Sequence, residues 1–296
     1  DNAEKVNVLI DQAIEKLQTL VENKGAITGV PTGIADLDKV LLGLQPGTLN
    51  ILGARPAMGK SAFALNLAVH AAQTLMKPVL FFSLEMGKAE LAQRILSSEA
   101  RVDSQLLRTG RPLPNDWTKI SHAVGRLDIP LIIDDSAGTS VGQIRAKARR
   151  TISREGGLAL IVIDYLQLMG GDGRPENRQL EVSEISRKLK LLAREFNVPV
   201  LALSQLSRQL ESRPEKRPTL SDLRESGALE QDADVVMFLY RPEIYDTDPN
   251  LKGRAEISVA KHRAGPLGTA QLAWLSTYTR FEGVASDPVV DAALRN

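Results

Sequence analysis

An apolar run, Leu49-Asn50-Ile51-Leu52, leads into Ala54-Arg55-Pro56-Ala57-Met58-Gly59-Lys60-Ser61, and a helical stretch over 60–76 follows. A strand, a tight turn ending in Gly-Lys-Ser and a helix make a phosphate-binding loop, with Ala54 where the pattern G-x-x-x-x-G-K-[ST] has its first glycine. Gly59 lets successive backbone N–H groups close on an anion. Lys60 carries a positive charge to the β- and γ-phosphates, and Ser61 offers a hydroxyl to Mg²⁺. The following helix adds the positive end of its dipole. ATP with Mg²⁺ is therefore the expected ligand pair, and Ala57, Met58, Gly59, Lys60, Ser61 and Ala62 are the candidate nucleotide-binding residues.

Such a loop works at the edge of a sheet, and the rest of the chain supplies one. Apolar stretches at 48–53, 79–83, 131–134, 158–164, 198–204, 235–240, 256–260 and 271–275 read as strands. Helical patterns at 60–76, 88–100, 115–126, 140–155 and 177–196 separate the early ones. Strands that are apolar throughout and alternate with helices predict an α/β fold with a mostly parallel sheet covered on both faces. The last strands have no helices between them and are expected to form hairpins at one edge. Near the N-terminus, Ile10, Ala13, Ile14, Leu17 and Val21 fall on one face of a helix over 4–22, with Gly25 as a C-cap. That face either packs on its own domain or docks on a neighbouring subunit.

In parallel sheets ligands gather at the carboxyl ends of the strands, which singles out three further positions. Glu85 follows the apolar strand Val79–Ser83, where a carboxylate can orient an attacking water; an exposed acid at a strand end is the plain alternative. Asp164 ends Leu160-Ile161-Val162-Ile163, and a carboxylate there can hold Mg²⁺ directly or through water. Gln205 ends Val200-Leu201-Ala202-Leu203-Ser204, where an amide could sense the γ-phosphate. Composition narrows the rest. With 296 residues and 43% hydrophobic content the chain can bury a large core as one domain, and with no cysteine it can form neither disulfides nor a cysteine-based zinc site. No run of about 18 apolar residues suggests a membrane span. There is no signal-peptide pattern, so a cytoplasmic location is expected, and the start at Asp1 suggests a fragment or processed chain. A net charge of +1 confines any polyanion site to a local surface.

Taken together the motifs resemble the C-terminal motor domain of the DnaB family of bacterial replicative DNA helicases. The matching blocks are Ala54–Ser61, Ser83-Leu-Glu-Met86, Ile163-Asp-Tyr-Leu-Gln167, Leu203-Ser-Gln-Leu-Ser-Arg208, the run from Leu220 to Asp234, and Ala260-Lys-His-Arg-Ala-Gly-Pro-Leu-Gly268. They span about residues 28–282, and alanine in place of the first loop glycine is common in that family. The resemblance implies a RecA-like P-loop ATPase core at 25–284, a linker helix at 1–24 and a tail at 285–296, without the family's N-terminal helical domain that meets the primase. It further implies a homohexamer with ATP between subunits, moving 5′ to 3′ on single-stranded DNA, with a helicase loader and primase as partners of the full-length protein and no membrane.

By the same resemblance Lys60 and Ser61 grip the phosphates and Mg²⁺, Asp164 stands behind the metal, Glu85 polarises the water and Gln205 reports the γ-phosphate. Arg94 matches an arginine placed near the phosphates; a solvated helix-face arginine is the plain alternative. Lys261 and Arg263 flank His262 on a late strand and so share a face. The resemblance makes Arg263 the arginine finger donated to a neighbour's ATP, with Lys261 beside it; the alternative is a cationic edge strand that blocks aggregation. The family often has Asn-Gly after this arginine, whereas this chain has Ala264-Gly265.

The stretch 208–224 mixes five cations with three acids and two prolines and reads as a loop. By resemblance Arg224, Glu225 and Gly227 line the ring channel and contact the single-strand backbone. The loop at 170–178 could face the same channel. Aromatic residues make up 4% of the chain, so tracking of the phosphate backbone is favoured over base stacking. Three other functions fit the same loop: a RecA- or RadA-class recombination ATPase, a P-loop kinase, and a nucleotide-gated scaffold. A polymerisation segment would favour the first, and a second substrate pocket the kinase.

Overall fold

The computed structural model describes residues 5–22, 27–170 and 178–284. In chain order the elements are α1 (Val6–Glu22), α2 (Ala35–Leu41), β1 (Leu49–Ala54), α3 (Lys60–Leu75), β2 (Val79–Ser83), α4 (Lys88–Ala100), α5 (Ser104–Arg108) and α6 (Pro114–Arg126). They continue as β3 (Leu131–Asp134), α7 (Val141–Glu155), β4 (Leu160–Asp164), α8 (Arg178–Phe196), β5 (Val200–Gln205), α9 (Gly227–Asp232), β6 (Val235–Tyr240), β7 (Arg254–His262), β8 (Gly268–Leu275) and β9 (Arg280–Gly283).

The strands form one sheet in the order β3-β2-β4-β5-β1-β6-β7-β8-β9. The first six are parallel, and β7, β8 and β9 continue the sheet antiparallel. Because side chains alternate along a strand, each central strand feeds two cores. Leu52, Phe81, Val162 and Leu203 pack with Phe63, Leu67 and Leu91 from α3 and α4. Ile51, Phe82, Ile163 and Ala202 pack with Ile144 of α7 and Ile185, Leu189 and Leu192 of α8. Burial on both faces explains why the strands read as unbroken apolar runs.

Local signals agree with these elements. Ser140 and Gln143 form a reciprocal capping box at the start of α7, and Gly156 ends it in the left-handed region at φ 75°. Gly59 caps α3 at φ 91°, and a Cβ there would lie 2.9 Å from the ring of Phe281, so both backbone and packing require glycine.

Sequence and structure part in two places, and in a third the structure bears on a reading that the sequence leaves open. The strand β9 and the short helices α2, α5 and α9 have too few residues to make a periodic pattern. The stretch 208–224, expected as a loop, instead contains two tight helical turns, Arg208–Ser212 and Leu220–Ser226. Asp222 accounts for the second: its carboxylate accepts the Thr219 N–H at 2.7 Å and the Arg213 guanidinium at 2.7 Å. Finally, Ile10, Ile14, Leu17 and Val21 of α1 are all exposed, so the helix does not bury this face on its own domain. The tail at 285–296, most of the 170–178 loop and both ends of the expected 1–24 linker lie outside the described residues.

Candidate nucleotide site

At the carboxyl ends of β1, β2 and β5 the sheet opens on a cavity of about 730 Å³. Ala57, Gly59, Lys60, Ser61 and Ala62 form its floor, Glu85, Glu90 and Arg94 one wall, Gln205 another, and Trp274 and Thr279 a third. Parallel pairing fixes these positions, since Gly53 lies opposite Ser204 and Ser83 opposite Asp164. Three of the strand-end expectations thus meet the phosphate loop.

Beneath the floor Lys60 meets Asp164. The Lys60 ammonium is 3.6 Å from an Asp164 carboxylate oxygen and lies 4.3 Å over the Tyr165 ring. Burial pushes Lys60 below the usual lysine range, and the charges of Asp164 and Glu85 oppose that shift. Burial, reinforced by the same two carboxylates, raises the Tyr165 phenol. Asp164 is fully buried and neither of its oxygens accepts a hydrogen bond. A carboxylate in that state is costly to bury and suited to a cation or to bridging water. Among the described residues no group of three or more His, Asp or Glu could hold a metal by itself. Any divalent ion here would depend on Asp164, Ser61 and the phosphates of the nucleotide.

Other expected residues stand differently. Arg94 lines the cavity but pairs with Glu90 at 2.9 Å. Met58 is buried in the core, and its N–H points to the Arg55 carbonyl at 3.4 Å, so its side chain does not meet the cavity. Lys261 and Arg263 are not on the cavity wall at all. In the antiparallel β6–β7 pair His262 lies opposite Val235, the first residue of β6. Both cations therefore sit at the amino-terminal edge of the parallel strands, across the sheet from the phosphate loop. There they donate to the Glu230 and Gln231 carbonyls. Burial and the neighbouring Arg263 charge lower the Lys261 ammonium, against the opposing charges of Glu230, Asp234 and Asp232. The side chains of Arg224 and Glu225 lie outside the described residues; Gly227 is exposed, with open space where a Cβ would stand.

Several positioning residues escaped the sequence reading. Gln167 bridges β4 to β5, donating to the Ser204 hydroxyl at 3.1 Å and the Gln205 carbonyl at 3.3 Å, which steadies the strand end bearing Gln205. Arg241 donates to the Ala57 carbonyl at 3.1 Å, holding a residue at φ 67° that only glycine adopts easily. Its guanidinium lies 4.8 Å from the Trp274 ring centre and pairs with Glu243, whose other oxygen accepts the Gly253 N–H at 2.8 Å. Gln167 had a local clue, three residues past Asp164, but Arg241 is 184 residues from its partner and had none.

The geometry agrees with three comparisons to known proteins. A family model described as the DnaB-like helicase C terminal domain matches residues 29–283. A protein named replicative DNA helicase DnaB from Geobacillus stearothermophilus is 50% identical over 275 residues, covering 92% of this chain and 60% of that protein. A solved structure titled as an ATPase domain superposes with a TM-score of 0.88 at 40% identity, covering 96% of this chain and 99% of the other. A structure titled for a DnaB-like replicative helicase and its interactions with primase gives 0.87 at 40% identity, over 96% and 68%. The RadB recombinase, at 0.54 and 20% identity over 86% and 99%, shares the fold alone. The chain spans about 60% of the length of the curated relatives it matches. With the phosphate loop, the strand-end carboxylates and the family match all in register, this chain belongs to the DnaB-like helicase C-terminal domain family and has its RecA-like fold.

Proposed function

We propose that this chain is the ATP-hydrolysing motor of a replicative DNA helicase. It works as a homohexamer, moves 5′ to 3′ on single-stranded DNA and unwinds duplex at the replication fork, in the cytoplasm. The observation that carries the reading is the division of the site. Lys60, Ser61, Glu85 and Gln205 share one cavity, while Lys261 and Arg263 occupy the opposite sheet edge. A finger so placed cannot reach its own nucleotide, which supports a site completed by a neighbouring subunit. Names of relatives that are half identical over most of this chain support the DNA substrate. They favour this reading over a recombinase or a kinase.

Within the proposed site, Lys60 and the loop N–H groups bind the β- and γ-phosphates. Ser61 and the unsatisfied Asp164 carboxylate fit Mg²⁺, which when bound neutralises charge shared by the β- and γ-oxygens. Glu85 orients the attacking water and accepts its proton, and Gln205 donates its amide to the γ-phosphate. Arg263 from the next subunit neutralises charge developing on the phosphoryl oxygens. Arg224, Glu225 and Gly227 face the strand in the channel, with Arg224 supplying the phosphate contact. A loader and a primase are the partners we assign to the longer protein; the primase has support in the structure titled for that interaction.

The test is steady-state ATPase activity with and without single-stranded DNA, on a preparation shown to be hexameric. Stimulation by DNA is the expected result, and its absence from assembled rings would sink the motor reading. Arg224→Ala is expected to weaken single-strand binding and to lower the slope of log affinity against log salt by about 1. An unchanged slope removes Arg224 from the phosphate contacts.

A further inference from the structure

Arg55, the second residue of the phosphate loop, lines the cavity, yet its guanidinium turns to the segment that follows Gln205. It is 7% exposed, and all three guanidinium nitrogens donate into the segment that follows Gln205. Nη1 reaches the Leu206 carbonyl at 2.8 Å; Nε and Nη2 reach Glu211 Oε1 at 2.9 and 2.5 Å. The Leu206 N–H donates in turn to the Ala54 carbonyl at 3.1 Å. Both backbone groups of the residue after Gln205 are therefore held by consecutive residues of the phosphate loop. A buried guanidinium is expensive unless its donors are used, and here they fasten two segments lying 156 residues apart in sequence.

The fastening continues beyond Glu211. The Ser207 N–H donates to the Asp222 carbonyl at 3.1 Å, and Arg213 grips the Asp222 carboxylate at 2.7 Å. Leu210 and Leu223 are buried in the same core. The turn Leu220–Ser226, which carries Arg224, is thus tied to the turn Arg208–Ser212, and that turn to Arg55. A continuous run of side-chain and short hydrogen-bond contacts joins the phosphate loop to the turn that carries Arg224.

We propose that Arg55 and Glu211 are positioning residues that couple nucleotide occupancy to the 206–226 segment, and so set the grip on DNA by the ATP state. The inference rests on the reading of Arg224 as a strand contact, but the movement of the segment can be measured without DNA. Glu211 is outside the nucleotide cavity, and its side chain is 49% exposed. Glu211→Ala leaves two donors of the buried Arg55 guanidinium unpaired, so a lower melting temperature is expected, with Glu211→Gln as the better-folded comparison. Because Glu211 itself does not line the cavity, a nonhydrolysable ATP analogue should still bind within about twofold of the parent.

Two measurements on the full chain decide it. In the parent, amide hydrogen exchange over 206–226 is expected to slow when the analogue binds, and single-strand affinity to differ between analogue and ADP by about 5–150-fold, the usual range for coupled sites. In Glu211→Ala both differences should fall below about twofold, and Glu211→Gln, which keeps an acceptor for Arg55, should recover part of them. A Glu211→Ala protein with the parent's nucleotide-dependent exchange and affinity ratio overturns the coupling. So does a parent whose 206–226 amides ignore the nucleotide. A parent that shows the exchange change yet fails to bind single-stranded DNA overturns the helicase reading and leaves the coupling standing.

Discussion

Lys60→Ala is expected to abolish ATP turnover and to loosen the fold around the site at the same time. Lys60 is the cation of the cavity floor, aimed at the place where charge accumulates during phosphoryl transfer. Removing one preorganised donor of that kind costs about 10²–10³-fold in rate, and here the donor carries a full charge. The second effect comes from Asp164, which is fully buried, accepts no hydrogen bond and has the Lys60 ammonium 3.6 Å away. Removing one member of a buried pair costs about 3–5 kcal/mol. The variant should therefore melt at lower temperature without ligand, as well as failing to hydrolyse ATP. A Lys60→Ala protein that turns over at even a tenth of the parent rate would show that the cavity is not the hydrolytic site.

The second large effect belongs to Arg263→Ala, and its signature is different. Fingers supplied in trans contribute about 10³–10⁵ in rate, so hydrolysis by an assembled ring should nearly stop. Nucleotide affinity should stay close to the parent's, because Lys60, Ser61 and the loop N–H groups lie on the other edge of the sheet. Mixing adds a stricter check. A ring containing both inactive variants has some interfaces at which the Arg263→Ala chain supplies Lys60 and the Lys60→Ala chain supplies Arg263. Those interfaces are complete, so activity should reappear on mixing if subunits exchange. Normal hydrolysis by assembled Arg263→Ala rings removes the finger.

The placement of the candidate residues at strand ends was legible in the sequence. Asp164 follows four apolar residues, and both the strand and its carboxylate-bearing end can be read from that pattern alone. The sheet order was less accessible, but alternating strands and helices limit the choices, and the hairpins at one edge followed from the missing helices. Long-range polar contacts left no trace. Arg241 braces Ala57 and Arg55 grips Glu211 across intervals of 184 and 156 residues, and neither arginine differs in sequence from a solvated one. Strand β9 was missed because only Phe281 of its four residues is buried, which is too little to show a period of two. The apolar face of α1 was legible as a face; its exposure in the single chain argues for the docking alternative.

The wall of the cavity has a practical consequence. The chain has two tryptophans. Trp117 on α6 is 62% exposed, whereas Trp274 borders the cavity, with its ring centre 4.4 Å from that of Phe281 and the Arg241 guanidinium close by. A nucleotide entering the cavity is expected to alter the polarity around Trp274 and to leave Trp117 in water. The protein thus carries its own optical gauge of occupancy, and a Trp117→Phe background would let each filling and emptying of the site be followed by fluorescence without a label.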